Sequence, residues 1–273
     1  MPMRLDLHVH TTASDGVWSP AAVAHHAVGR LDVIAITDHD TVAGIDRARR
    51  AAEGQPLHVI PAVELSSTFN GRDVHVLGYF VDPEAPALLD HETRAMGARE
   101  RRMEEMIGRL REQGIEVDMD AVLHAAGPER GSIGRPHLAR VLVAEGHARN
   151  VPDAFDRWIG DAHRAFVSTA LLDPAGAVAV VRAAGGIAVW AHPPADLIDV
   201  LLPSLVKSGL RGLEVYRPRV SPRRVVRLEG IARTAGLVVT GGSDWHTPEA
   251  GSDLGDFHVT GEELAPFLEE GGM

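Results

Sequence analysis

The chain has no cysteine. Disulfides and thiolate metal sites are therefore excluded, and any bound metal must be held by histidine and carboxylate. Positive charge is also short, with 27 lysines and arginines against 38 aspartates and glutamates and a formal net charge of −11. That balance disfavours long nucleic acid as a non-specific partner, while a small anion in a local basic pocket stays compatible with it. No long hydrophobic run is present. The most apolar stretch, 177–191, carries Arg182 and the Gly185-Gly186 break and is too short to cross a bilayer. The first residues, Met-Pro-Met-Arg-Leu-Asp, lack the apolar core of a secretory leader, so a cytoplasmic protein with no membrane partner is expected. Low-complexity segments are missing too. A length of 273 residues with 45 % apolar content suits one large α/β domain, or a barrel with a small insertion.

Histidine is what the chain has in quantity: fifteen residues, whose placement matters more than their number. The stretch 5–9 reads as a short buried strand, and side-chain alternation puts His8 and His10 on one face, two positions apart. Two imidazoles converging from a rigid strand make half of a metal shell.

Strand and helix then alternate along the chain. Ser19-Pro20 opens a helix, serine as cap and proline at the first helical position. The apolar run 31–36 reads as a strand buried on both faces, followed by a helix over 42–53. A strand over 57–65 carries Glu64, and after a turn at Asn70-Gly71 a strand over 73–80 carries His75. From 83 to 166 no strand is convincing; a charged helix over 90–113 and shorter helical pieces read as a helical insertion the size of a small domain. Helices over 174–184, 199–208, 221–235 and 262–269 alternate with strands over 187–191, 212–216, 237–240 and 257–259. Repeated βα units of this kind build a parallel sheet or barrel. His8, His10, His39, Glu64, His192, Asp244 and His246 all fall at or just past a strand's C-terminal end, and Asp15 lies in the first such loop. Parallel α/β folds gather those ends on one face, where sites are built. The remaining histidines (25, 26, 58, 91, 124, 147, 163 and 258) sit away from such ends and read as ordinary surface or partly buried residues.

His8-Val9-His10 with Thr12, Ser14, Asp15 and Gly16, then Ile36-Thr37-Asp38-His39-Asp40, Glu64, His75, Ala191-His192-Pro193 and Gly242-Ser243-Asp244-Trp245-His246 resemble, in order, the motifs of the PHP (polymerase and histidinol phosphatase) superfamily. The resemblance spans the whole chain. It implies an α/β fold, a distorted seven-stranded (βα) barrel from 1–82 and 167–273, interrupted by the helical insertion 83–166. It also implies a cluster of two or three divalent ions, manganese first, with iron or zinc as alternatives. By position, His8, His10, Glu64 and Asp244 would hold one ion. Glu64, His75 and His192 would hold a second, and Asp15, His39 and His246 a third. Histidinol-phosphatase-like members carry histidine at the position of Asp15, and the aspartate makes that site harder, favouring manganese or iron. Asp38 is expected to orient an imidazole from behind.

Within the insertion, Gly131-Ser132-Ile133-Gly134-Arg135-Pro136-His137 resembles a segment of the PHP branch that contains 3′,5′-nucleotide bisphosphate phosphatases and 5′-to-3′ exoribonucleases. A guanidinium leaving a glycine-flexed turn can grip phosphate through two parallel hydrogen bonds. Arg135, His137, Arg217 and Ser66 are the candidate substrate-binding residues. Glu64, Asp244, Arg135 and His137 are the candidate catalytic ones. The implied activity is hydrolysis of phosphate esters, most directly the 3′-phosphate of a nucleotide bisphosphate such as 3′-phosphoadenosine 5′-phosphate. The 5′ end of a short RNA presents the same terminal groups and stays equally open. Two rivals are a phosphatase for a non-nucleotide metabolite such as histidinol phosphate, against which the insertion and Asp15 speak, and a non-catalytic PHP scaffold, against which the complete ligand set speaks.

Overall fold

A computed structural model describes residues 2–128, 130–169, 171–248 and 252–273. The chain forms β1 (Arg4–Val9), α1 (Pro20–Ala27), β2 (Val33–Ile36), α2 (Ile45–Ala52), β3 (His58–Phe69) and β4 (Arg72–Tyr79). Helices α3 (Pro86–Arg111), α4 (Met119–Ala126), α5 (Arg135–Ala144) and α6 (Val151–Ala154) follow, and a π-helical turn over Phe155–Ile159 continues α6. Alternation returns with α7 (Pro174–Ala183), β5 (Ile187–Trp190), α8 (Ile198–Ser208), β6 (Gly212–Tyr216), α9 (Pro222–Ala235), β7 (Val238–Gly241), β8 (Val259–Thr260) and α10 (Ala265–Glu270). No helix among the described residues is long and apolar enough to cross a membrane.

The strands make one nearly closed sheet in the order β7-β6-β5-β4-β3-β2-β1-β8. It has eight strands where seven are expected, because the two-residue β8 pairs antiparallel with the start of β1. Strands β1 to β3 and β5 to β7 form two parallel blocks. Strand β4 runs against both its neighbours and joins them. The β3–β4 hairpin turns at Asn70-Gly71, whose φ values of 50° and 76° fit the left-handed pair of a type I′ turn. The reversal has a consequence for the site. His75 lies near the beginning of β4, so running backwards delivers it to the face reached by the ends of the other strands.

The barrel interior is filled by Leu5, Leu7, Val33, Ala35, Ile60, Ala62, Leu77, Tyr79 and Val189, with Leu264 and Phe267 from α10 and the turn before it. Pairing of β1 with β2 slips between Asp6 and Val9. An irregularity of this kind re-aims side chains. It lets Leu5 and Leu7 join the interior cluster while His8, of opposite parity, meets Glu64, also inside the barrel. The gap between β1 and β7 is bridged beyond β7 by Trp245. His10 N–H donates to its carbonyl at 2.9 Å, and its own N–H donates to His8 O at 3.2 Å.

Helix α3 begins a turn earlier than the charge pattern indicates, with Ala85 as cap residue and Pro86 at its first position. It takes part in two cores. Leu88 packs in the barrel's outer core beside α7 and α8, whereas Met103, Met106, Ile107 and Leu110 pack with Val122, Leu138 and Leu142 of α4 and α5.

The bridge at Trp245 depends on Gly242. A Cβ there would stand 2.4 Å from the backbone nitrogen and Cβ of His8. Gly242→Ala is expected to destabilise the fold by about 1–3 kcal/mol or more, as overpacking against backbone does. Urea unfolding of the variant beside the parent chain measures it.

Candidate metal centre

Nine side chains converge at the strand ends. From β1 come His8 and His10, both fully buried, with Asp15 from the loop after it. The extension of β2 carries His39, which pairs with Glu64 of β3 as an isolated bridge. Strand β4 supplies His75, and the segments after β5 and β7 supply His192, Asp244 and His246. His192 and Asp244 have φ values of 31° and 58°, the left-handed region that non-glycine residues enter at a cost.

Glu64 is the centre, fully buried. Its Oε2 lies 3.2 Å from Nε2 of both His8 and His10 and 3.3 Å from His39 Nδ1. Its Oε1 lies 3.0 Å from His75 Nδ1 and 3.1 Å from His192 Nε2. Asp244 Oδ1 stands 3.4 Å from Nε2 of His8 and of His10. Asp15 Oδ1 stands 3.3 Å from His246 Nε2, and its Oδ2 3.8 Å from His39 Nε2. The groups His8/His10/Glu64/Asp244, His39/Glu64/His75 and His10/Asp15/His39/His246 each bring their ligand atoms within 4.8 Å of one another.

These spacings fit divalent ions. Donors bound at about 2.1 Å are separated by roughly 3.0 Å on an octahedron and roughly 3.4 Å on a tetrahedron. His10 Nε2 and His39 Nδ1 are buried and make no hydrogen bond, although each lies close to Glu64 Oε2. Electrostatics carries the same message. Burial works against ionisation of Asp15, Glu64 and Asp244, yet the surrounding imidazoles hold all three well below the usual carboxylate range. The converse holds for three of the rings. Burial would lower His8, His10 and His75, but the carboxylates raise His8 well above its ordinary value, push His10 up to about 10 and raise His75 as well. His39, where burial dominates, falls to about 3. Three buried carboxyls held in the ionised form beside one another draw positive charge to the space between them.

Behind the nine lie further polar residues, of which Glu214, Arg99 and His91 are ones that sequence reasoning passes over. Glu214 of β6 is buried and accepts from two directions, 2.7 Å from His8 Nδ1 and 2.7 Å from the backbone N–H of His192. Its one sequence signal is a lone carboxylate inside an apolar strand. Asp38 does not bond an imidazole. Its two oxygens accept from Thr11 and Ser14, so it shapes the loop that carries Asp15. Asp40, at φ 55°, accepts from Ser66 N–H, His91 Nε2 and the Arg99 guanidinium. Arg99 donates further to Ser66 Oγ at 2.6 Å and to Ile133 O at 2.9 Å.

A cleft of about 470 Å³ opens over the cluster, walled by Arg99, Arg102, Arg135, Arg217, Ser66, Asp73, Phe155 and Thr169 together with seven of the nine. Arg217 Nη2 donates to Asp244 Oδ2 at 3.0 Å. Arg135 is held between rings, 5.5 Å from the centre of Phe155 and 5.0 Å from that of Phe166. Its segment is tied down as well. Gly131 and Ser132 both donate to Ala13 O, and Arg140 donates to Asp15 O. His137 does not wall the cleft. It is buried, its Nδ1 accepts from Gly134 N–H at 3.0 Å, and burial lowers it to about 4, so the ring caps its own helix. Arg223 and Arg224 open α9; Arg224 donates to Pro193 O, and Arg219 walls a second, smaller cleft beyond Arg217.

No family profile matches the chain. Individual proteins do. A 5′-3′ exoribonuclease of Haemophilus influenzae is 34 % identical over 99 % of this chain and 100 % of its own length. A 3′,5′-nucleoside bisphosphate phosphatase of Chromobacterium violaceum is 31 % identical, covering 96 % of this chain and 93 % of that one. Among solved structures, a protein from Bifidobacterium adolescentis described as a metal-dependent phosphoesterase superposes with a TM-score of 0.85 at 31 % identity, over 98 % of this chain and 97 % of that one.

Arg99 and Asp40 are a buried pair, with side chains 4 % and 0 % exposed. Arg99→Met would leave the Asp40 carboxylate buried with only the His91 ring and the Ser66 N–H as partners. A loss of about 3–5 kcal/mol is expected, the cost of stranding one partner of such a pair. Chemical denaturation reads it directly.

Proposed function

This chain belongs to the PHP superfamily of metal-dependent phosphoesterases, and on that premise we propose that it removes phosphate from nucleotides bearing a 3′-phosphate and a 5′-phosphate, and trims short 5′-phosphorylated RNA from its 5′ end. The chain is a hydrolase of phosphate esters. One observation carries the finer reading: the two oxygens of Glu64 face two separate sets of imidazoles beneath a cleft walled by arginines.

His8, His10, Glu64 and Asp244 would hold a first ion, Glu64, His75 and His192 a second, and Asp15, His39 and His246 a third. An all-oxygen-and-nitrogen donor set with three carboxylates suits manganese, then iron or zinc. Divalent ions bound there supply a water acidic enough to attack phosphorus near neutral pH, and positive charge for the phosphoryl oxygens. The chain's own groups do the rest. Glu214 fixes the His8 ring and the His192 backbone, so the donors do not reorganise when substrate arrives. Arg217, anchored on Asp244, is placed to meet oxygens of the reacting phosphoryl group. Arg135, rigidly stacked, meets phosphate from the insertion side. We take 1–82 and 167–273 as the catalytic barrel and 83–166 as the insertion that roofs it. Work on small nucleotides or RNA ends fits a cytoplasmic enzyme.

Chelation is expected to abolish hydrolysis, and manganese to restore it better than magnesium, since several imidazoles favour the softer ion. Full turnover by metal-stripped protein would reject the reading. Glu64→Gln is expected to lose two ions and nearly all activity, checked by elemental analysis and phosphate release on one preparation.

The substrate assignment is tested by phosphate release from 3′-phosphoadenosine 5′-phosphate and nucleotide release from a 5′-phosphorylated oligoribonucleotide, beside histidinol phosphate. Turnover of at least one nucleotide substrate, well above that of histidinol phosphate, is expected.

A further inference from the structure

The cleft continues past Arg217. A second cavity of about 330 Å³ opens there and shares Arg217, Asp244 and His246 with the first, so it begins at the candidate metal ligands themselves. Its remaining walls come from the segments that follow β6 and β7, among them Arg219, Thr247 and Ser252. Among the described residues, none from the helical insertion lines it.

The charge left over in this cavity is positive. Asp244 is the carboxylate in its wall, and Arg217 Nη2 already donates to it at 3.0 Å. Arg219, exposed on the rim, makes no hydrogen bond or ion pair among the described residues. Its backbone stands at φ 62°, in the left-handed region that an arginine enters at a cost. Two residues on, Ser221 caps α9, whose first turn carries no acidic residue, so nothing there offsets the positive end of the helix. Trp245, 4 % exposed, also lines the cavity, and its indole N–H is buried with no acceptor among the described residues. Buried donors are normally satisfied, and one left open in a cavity wall marks a place for an acceptor that arrives with a ligand.

We propose that this second cavity receives the RNA strand beyond the scissile phosphate, the second nucleoside lying between Arg217 and Arg219 and the phosphate after it meeting Arg219. The inference rests on the nucleotide phosphoesterase reading and deepens it by naming the substrate class that needs this cavity. In the reaction a water oxygen bonds to phosphorus, the bond from phosphorus to O3′ of the first nucleotide breaks, and a proton goes to that O3′. The first nucleotide departs with a 3′-hydroxyl, and the phosphate stays on the shortened strand as its new 5′ end. In a nucleoside 3′,5′-bisphosphate the scissile phosphorus carries only terminal oxygens on that side and leaves the cavity empty. An RNA carries a nucleoside there through O5′, and the cavity that opens at Arg217, Asp244 and His246 gives it room. A single uncommitted arginine past Arg217 makes a short contact rather than a long track, in keeping with a net charge of −11.

The test measures initial rates of manganese-loaded wild type, Arg219→Asn and Arg219→Lys on adenosine 3′,5′-bisphosphate and on 5′-phosphorylated adenylate di- and trinucleotides. Asparagine tolerates the left-handed backbone, so Arg219→Asn removes the cation and little else. In wild type the step from dinucleotide to trinucleotide, which adds the phosphate facing Arg219, is expected to raise kcat/KM roughly 3–10-fold, mainly through KM, the scale of one charged contact partly screened by water. Arg219→Asn should erase that gain, and Arg219→Lys should keep most of it. Salt supplies a readout that a structural role would not move. On the trinucleotide the slope of log KM against log salt should fall by about 0.7 in Arg219→Asn, the share of one phosphate contact on a single strand. A wild type with no gain from two to three nucleotides, an Arg219→Asn that keeps both gain and slope, or equal losses on all three substrates would overturn the subsite. Hydrolysis of the bisphosphate with no cleavage of either oligonucleotide would overturn it too, while leaving the nucleotide phosphatase reading in place. Wild type that cleaves p-nitrophenyl phosphate but none of the three nucleotide substrates would reject that reading, and the subsite with it.

Discussion

A carboxylate with no solvent exposure, Glu64, faced by five imidazole nitrogens, is the constraint around which this molecule is built. Burying an anion that deeply is expensive unless positive charge comes with it. The protein brings donors from six separate strand ends, then supports them from behind with Glu214, Asp38 and Asp40. A polar group of that density needs a rigid frame. A nearly closed barrel supplies it, with the Trp245 segment tied to His8 and His10 across the remaining gap.

The helical insertion is less an appendage than its place in the chain suggests. Helix α3 spends its first turns in the barrel's core and its last turns in the insertion's own. Arg99, in the middle, reaches back to Asp40 and Ser66, close in sequence to the candidate ligands His39 and Glu64. On the other side, Gly131, Ser132 and Arg140 hold the loop that carries Asp15. The roof over the cleft and the floor beneath it are therefore one hydrogen-bonded body.

Most of the barrel was legible because buried parallel strands and their capped helices write themselves as apolar runs and Ser-Pro or Asp-Pro pairs. That these histidines and carboxylates gather in one place was legible because such residues at successive strand ends have few other reasons to recur. Three features were hidden. The inward turn of His8 depends on a slip in the pairing of β1 and β2, and pairing leaves no mark on composition. Arg99 and Arg102 sit in a run of charges that reads as a solvated helix face, and only the crossing of α3 over the cleft buries them. His137 carries the motif histidine, yet its ring turns back onto Gly134 as a helix cap. A local hydrogen bond of that kind cannot be told from a catalytic role by residue type.

The reversed strand β4 has one more effect. Asp73 and His75 are two residues apart on it, with Val74 and Val76 buried in the opposite, outer core, so both side chains leave the same face toward the cleft. Two residues of strand span about 7 Å. That interval is locked by the ladder to β3, where His75 faces Ser66 and Asp73 faces Thr68, and does not stretch. The spacing between the His75 ring and the Asp73 carboxylate is therefore fixed by one dipeptide of strand, whatever else moves in the cleft.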